Sequence, residues 1–185
     1  DFNQCIDEFE LFQDKPEEAK IFLNALVGEV KVRVRMSFAC ILSPSDYTAV
    51  NEKFQLAESF GNMYSFCSRY CVGAVRRWAE KYKYPKEKIH YVFEDGCKGK
   101  GDLSTMMELD GFPPPTFRDK KLPHLQAADL VVWELRRVAG LAFGDSLQSF
   151  RESFKTLSQM PQDWGIYKNK QDLEDFCMEF GIARR

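Results

Sequence analysis

The sequence has no long apolar run, no excess of basic residues and no low-complexity segment. No apolar run in the 185 residues approaches the length of about 18 that a membrane-spanning helix requires. The formal net charge is −2 and the sequence pI is about 5.8. The chain therefore lacks the overall basic character of a protein that binds nucleic acid non-specifically. A nucleic-acid role therefore requires a local basic patch or a partner chain.

Histidine is scarce and the cysteines form no C-x-x-C pair, which argues against a zinc site. The two histidines are His90 and His124, whereas structural zinc sites take four Cys or His ligands. Cys67 and Cys71 fall on one face of a predicted helix, where we expect them to pack as small apolar residues. No signal-peptide pattern is visible in these residues, so we expect reduced thiols and a cytoplasmic location.

Two common enzyme signatures are also missing. There is no Gly-x-Ser-x-Gly elbow and no Cys–His nucleophile signature. The loop of residues 96–101, Gly-Cys-Lys-Gly-Lys-Gly, is not a Walker A motif, because Asp102 follows it where Lys and then Ser or Thr are needed. Two interpretations of this loop stay open: a plain flexible turn, or a phosphate contact that involves Lys98 and Lys100.

Helical and extended patterns alternate along the chain. In order, they predict a helix opened by Asp14 and Pro16, a strand over Val32–Leu42, a helix over Met63–Tyr82, a buried strand over Ile89–Phe93, a helix from Asp102 to Leu109, a short strand at Thr116–Arg118, a helix from Pro123 that Gly140 and Gly144 close, and helices over Leu147–Leu157 and Gln171–Phe180. This alternation predicts an α/β fold, in which ligands bind beyond the carboxyl ends of the strands.

Three acidic residues are candidates for chemistry. Glu94 and Asp95 follow a predicted strand, and Asp129 lies at the edge of the apolar face of the helix that begins at Pro123. Each has an ordinary structural explanation as a turn residue, a salt-bridge partner or a loop cap. If they converge, carboxylates from a strand end and a packed helix form the oxygen-ligand site that Mg²⁺ or Mn²⁺ prefers. Two such metals can activate water and stabilise the leaving oxygen in phosphodiester cleavage.

The segment Leu125–Leu130, LQAADL, is followed by Trp133-Glu134 and Arg136-Arg137. It resembles the C-terminal signature of the domain-of-unknown-function 3800 family, which is Leu-Gln-x-Ala-Asp-Leu on a helix. The resemblance covers about Lys15 to Gly140. It implies a ribonuclease H-like fold, a mixed sheet flanked by helices with an acidic site at one end.

The same resemblance assigns roles to individual residues, and it shows where this sequence departs from the family pattern. It implies that Asp129 is the helix-borne acid, that Glu94 or Asp95 is the strand-end acid, and that Gln126 supports them. The family opens with a strand that carries Asp-Glu-Ser-Gly, whose Asp is a site residue, and this sequence has no such motif. We therefore expect the first strands to be missing. Residues 1–185 would form a single domain, the C-terminal two-thirds of the family domain, with a helical extension from about residue 145.

Two functional hypotheses follow. The first is a divalent-metal-dependent nuclease or phosphoryl-transfer hydrolase, in which Mg²⁺ or Mn²⁺ binds the three acids and substrate contacts Gln126, Lys98 and Lys100. The second is a catalytically inactive binding or regulatory module of the same fold, which the acidic net charge and the missing first acid favour. Either one could contact nucleic acid through the basic loop. Either one could also form a homo-oligomer or take the missing strands from a partner chain.

Overall fold

The computed structural model describes residues 12–96, 99–142, 151–167 and 169–184. This part of the chain has eight α-helices, a short 3-10 helix (Lys86–Lys88) and four short strands, which confirms the α/β class. The α-helices and strands are numbered in chain order. In chain order they are α1 (Pro16–Arg33), β1 (Ser37–Ile41), α2 (Pro44–Lys53), α3 (Leu56–Phe60), α4 (Met63–Lys81), β2 (Val92–Glu94), α5 (Lys100–Leu109), β3 (Thr116–Arg118), α6 (Pro123–Ala142), α7 (Glu152–Leu157), β4 (Gln162–Ile166) and α8 (Lys170–Glu179). None of the helices in these ranges is long and apolar enough to cross a membrane.

The strands pair in two separate two-stranded sheets, and both pairings are parallel. β1 pairs with β4, which sets Cys40 opposite Gly165, and β2 pairs with β3, which sets Glu94 opposite Arg118. The strands of a parallel pair need a crossover connection between them, and helices supply it here. Within the described residues the strands therefore form two small parallel sheets, where we expected one mixed sheet.

The predicted strand over Val32–Leu42 was wrong in its first part, because α1 continues to Arg33. Arg33 Nε lies 2.7 Å from Glu29 Oε2 one helical turn earlier, a pairing that favours the helix, and a cation in the last turn also suits the helix dipole. Val32 is 85% exposed, so it does not contribute to the buried face of a strand. β1 begins only at Ser37.

Several predicted element ends also differ from the structure. Lys15, not Asp14, is the N-cap residue of α1, and Asp14 has a left-handed φ of 63°. α5 begins at Lys100 after Gly99, so Asp102 lies in its first turn and does not cap it. β2 is shorter and more exposed than the predicted buried strand. α6 runs through Gly140, whereas Gly144 and residues 147–150 lie outside the described residues.

α4 is the helix that the sequence predicts best, and it organises the main core. Asn62 caps it by accepting a hydrogen bond from the Ser65 N–H at 3.0 Å. Phe66 is 1% exposed, and its ring contacts four other aromatic rings with centroid distances between 5.2 and 5.9 Å. Those rings belong to Tyr47, Phe60, Tyr167 and Phe176. Helices α2, α3 and α8 thereby share one aromatic core with α4.

The cysteines of α4 lie between that helix and β1. Cys67 packs against the main core together with Cys40 of β1, as the prediction of a core role requires. The side-chain hydrogen bond between these two thiols raises the pKa of Cys40 and lowers that of Cys67. Burial raises the pKa of Cys71 to about 12. Cys71 therefore carries very little thiolate at neutral pH.

Candidate functional site

The inner face of α6 differs from the face that the sequence predicts. Ala127, Leu130 and Val131 pack against a second core, whose buried members come from α1 and from α7 with the turn that follows it. At helical spacing, the sequence predicts an apolar arc of Leu125, Ala128, Val131, Val132, Leu135, Val138 and Ala139. Ala128 is exposed and Val132 is 57% exposed, although both belong to this predicted arc. At 100° per residue, the observed face is turned by roughly 80° from the predicted one. The prediction was wrong in part, because α6 carries apolar residues around most of its circumference; Val131 and Leu135 of the predicted arc do lie inward.

This rotation changes which acid of α6 is buried. Asp129 and Gln126 are exposed, and no cation among the described residues lies within ion-pair distance of Asp129. Glu134 is instead 2% exposed, and it accepts a hydrogen bond from the Ser153 hydroxyl. The burial of Glu134 was not predicted from the sequence. Its spacing of four from Leu130 and three from Val131 would have placed it on the inner face.

The strand-end acids lie beside a cation. Glu94 is exposed at the end of β2, and Asp95 follows it in the turn. Lys100 Nζ lies 2.6 Å from Asp95 Oδ1, and the Gly96 N–H donates to the same oxygen at 3.0 Å. The Lys100 ammonium, together with the Gly96 N–H, holds the pKa of Asp95 below its usual range. Lys100 also lies 4.7 Å from the centroid of the Phe117 ring on β3.

The structure brings some of the predicted site residues together and leaves others unconnected. It joins Asp95 to Lys100, and it places β2 in contact with α6, the helix that carries Asp129. Among the described residues, no group of three or more His, Cys, Asp or Glu side chains is arranged to hold a metal ion. Lys98 lies outside the described residues. The candidate site is therefore an exposed acidic strand end next to an acid-bearing helix.

The donor chemistry of this site fits one kind of Mg²⁺ binding. Glu94 and Asp129 supply hard carboxylate oxygens and have no cation partner in the described ranges. Proteins commonly bind Mg²⁺ through one or two carboxylates while the ion keeps several waters and contacts substrate phosphates. In residue type, Glu94 and Asp129 match that sparse arrangement, and the described residues contain no cage of three or more such ligands.

The Asp95–Lys100 ion pair gives a first prediction. In Lys100→Met, we expect the pKa of Asp95 to rise toward its ordinary value, as followed by an NMR titration of the carboxyl carbon. Because the folded-state pKa is lowered, the pair stabilises the fold above the unfolded-state pKa, and this contribution is lost as the pH falls through the folded-state pKa. Lys20→Met, on the exposed side of α1, should leave that pKa in place. An unchanged Asp95 titration in Lys100→Met would contradict the assignment.

The segment Leu125–Leu130 lies on α6, and both Gln126 and Asp129 are exposed. No protein-family model matches the chain, and no curated protein or solved structure gives a significant match. The family resemblance and the ribonuclease H-like fold that it implies therefore stay predictions.

Proposed function

We propose that the chain is a divalent-metal-dependent phosphodiester hydrolase in which Glu94 and Asp129 bind Mg²⁺ or Mn²⁺. The observation that supports this function is the contact between β2, which ends in exposed acids, and α6, which carries an exposed acid without a cation partner among the described residues. When bound, the ion would supply Lewis-acid stabilisation of the phosphoryl oxygens. Asp95, the residue after Glu94, offers a further carboxylate to the ion.

The chain also offers groups that bind the substrate around these acids. Arg118 pairs in register with Glu94 across the β2–β3 sheet, and both are exposed. Lys100 can exchange its bond to Asp95 for a substrate phosphate, because both partners lie at the surface. Gln126, one turn before Asp129 on the same side of α6, offers an amide that orients the bound ester. Cations on either side of a carboxylate pair suit a phosphodiester backbone.

A second candidate is a module of the same fold that binds its ligand without cleaving it. Two observations favour it: Lys100 already neutralises Asp95, and the described residues contain no group of three metal ligands. This candidate predicts that ligand binding does not depend on Mg²⁺ or Mn²⁺ and that no turnover occurs.

Cleavage of labelled single-stranded and double-stranded oligonucleotides, with Mg²⁺, Mn²⁺ or EDTA, tests the proposal. We expect metal-dependent cleavage that EDTA abolishes, and a loss of about 100-fold or more in kcat in Glu94→Gln and in Asp129→Asn. Glu52→Gln, an equally conservative change at an exposed acid of α2, is the matched control and should cleave normally.

Mn²⁺ binding, followed by electron paramagnetic resonance, separates the two candidates. The hydrolase predicts that Mn²⁺ binds the unaltered chain and that either variant weakens its binding. Absence of cleavage with every metal, together with Mn²⁺ binding that the two variants leave unchanged, would reject the hydrolase in favour of the non-catalytic module.

A further inference from the structure

The C-terminal end of α4 carries an aromatic cluster at the protein surface. The rings of Trp78 and Tyr84 are stacked, with centroids 4.8 Å apart and an interplanar angle of 22°. The Tyr82 ring lies 5.7 Å from Trp78 and is 58% exposed. Phe38 of β1, which is half-buried, makes an edge contact with Trp78 at a centroid distance of 6.2 Å. A planar ring is thus presented to solvent from a fixed support.

A strained turn holds this cluster together. Lys83 has a left-handed φ of 56°, and the Tyr84 N–H donates to the Ala79 carbonyl at 2.8 Å. This geometry reverses the chain after α4 and returns Tyr84 to the Trp78 ring. Glycine is the usual residue at such a position because a side chain strains it. Here a lysine side chain lies beside the aromatic rings at a position where glycine is usual.

The same region is strongly basic, although the chain as a whole is acidic. Residues 76–88 contain six Lys or Arg and two Glu, a net charge of +4, whereas the whole chain carries −2. Glu80 forms ion pairs with Arg76 and Lys86, whose nitrogens lie 3.2 and 3.4 Å from Glu80 Oε1. Within residues 76–88, the exposed cations that have no carboxylate partner among the described residues are Arg77, Lys81, Lys83 and Lys88. We call these four cations, with Trp78, Tyr82 and Tyr84, the aromatic–basic surface.

We propose that the aromatic–basic surface binds a single-stranded polynucleotide. The Lys81 ammonium lies 5.6 Å from the centroid of the exposed Tyr82 ring. An unpaired base can stack on that ring when the flexible Lys81 side chain turns aside and, with Lys83, contacts the flanking phosphates. Duplex bases are already stacked within the helix and cannot reach that ring. An acidic polypeptide would match the charge of the surface but has no regular row of planar groups to stack. This binding does not depend on the acids of β2 and α6 or on a metal.

Binding of a labelled oligo-dT of about 12 nucleotides, measured by fluorescence anisotropy in EDTA, tests the site without any cleavage. With four phosphate contacts, the logarithm of the binding constant should fall with the logarithm of salt concentration with a slope of about −3. Tyr82→Ala should weaken binding by about 5- to 150-fold, the range expected for loss of one stacked base. Phe180→Ala removes an aromatic ring that is 60% exposed on another part of the surface, and it should bind normally.

Lys83→Gly distinguishes a binding role from a structural one. It relieves the left-handed strain, so we expect the melting temperature to rise while the affinity for oligo-dT falls and the salt slope becomes smaller by about 0.7. A purely structural role for Lys83 predicts unchanged affinity. The proposal is overturned if Tyr82→Ala binds like the unaltered chain, or if a duplex or poly-glutamate of equal charge binds as tightly as oligo-dT.

Discussion

Phe66→Ala is expected to lower the free energy of unfolding by about 3–5 kcal/mol, the largest loss that we expect from a single substitution in this chain. Phe66 is 1% exposed and lies at the centre of the aromatic core, so the lost ring leaves a cavity rather than a space that water fills. Four ring contacts disappear with it, and such pairs each contribute about 0.5–1.5 kcal/mol beyond burial. The contacts reach α2, α3 and α8, so all three lose support.

Urea unfolding followed by circular dichroism measures this loss. Phe66→Leu should be milder, because the leucine refills part of the cavity. Phe180→Ala is a surface control, since its ring is 60% exposed and contacts only the edge of the same core through Phe176. A loss below about 1 kcal/mol in Phe66→Ala would show that the aromatic core is not the main source of stability.

The elements that could be predicted from the sequence are those with a long apolar pattern on one side. α4 has a continuous apolar stripe and a capping Asn62, so its bounds could be predicted. Its buried face could be predicted only in part, because Phe66 is buried as expected, whereas Tyr82 at the end of the stripe is 58% exposed and Val72, off the stripe, is buried. β4 could not, because its five residues, Gln162–Ile166, mix polar and apolar side chains without alternation. Its partner β1 lies far away in the chain, and only the tertiary fold brings the two together. Local pattern contains no information about such a pairing.

The candidate site also combines features that could be predicted from the sequence with features that could not. Acids at the end of a strand are a local feature, so the exposed position of Glu94 and Asp95 could be predicted. The orientation of α6 could not be predicted, because its apolar residues occupy more than one face and the packing of α1 and α7 decides which face is buried. The expectation that Asp129 lies beside the core was therefore wrong, and its carboxylate is solvated. This solvation removes the cost of burial and keeps the acid accessible to a ligand.

The buried acid of α6 gives the other prediction with a large effect. Glu134 is 2% exposed, Ser153 is 4% exposed, and the Ser153 hydroxyl donates to the carboxylate. Ser153→Ala removes this donor and leaves a buried acceptor without its partner. We expect a loss of about 1–3 kcal/mol in the free energy of unfolding, because desolvation of the carboxylate is then no longer compensated. Urea unfolding at neutral pH measures it.

A matched pair of variants tests whether the loss comes from the unsatisfied acid rather than from the missing hydroxyl. Glu134→Met in the Ser153→Ala background removes both polar groups, and an apolar pair of similar size should restore most of the lost stability. The resulting double-mutant cycle should therefore be strongly non-additive. If the double variant is as unstable as Ser153→Ala alone, the hydrogen bond does not account for the burial of Glu134. If stability returns, α6 and α7 are held together mainly by apolar packing, and the buried pair makes their contact specific rather than strong.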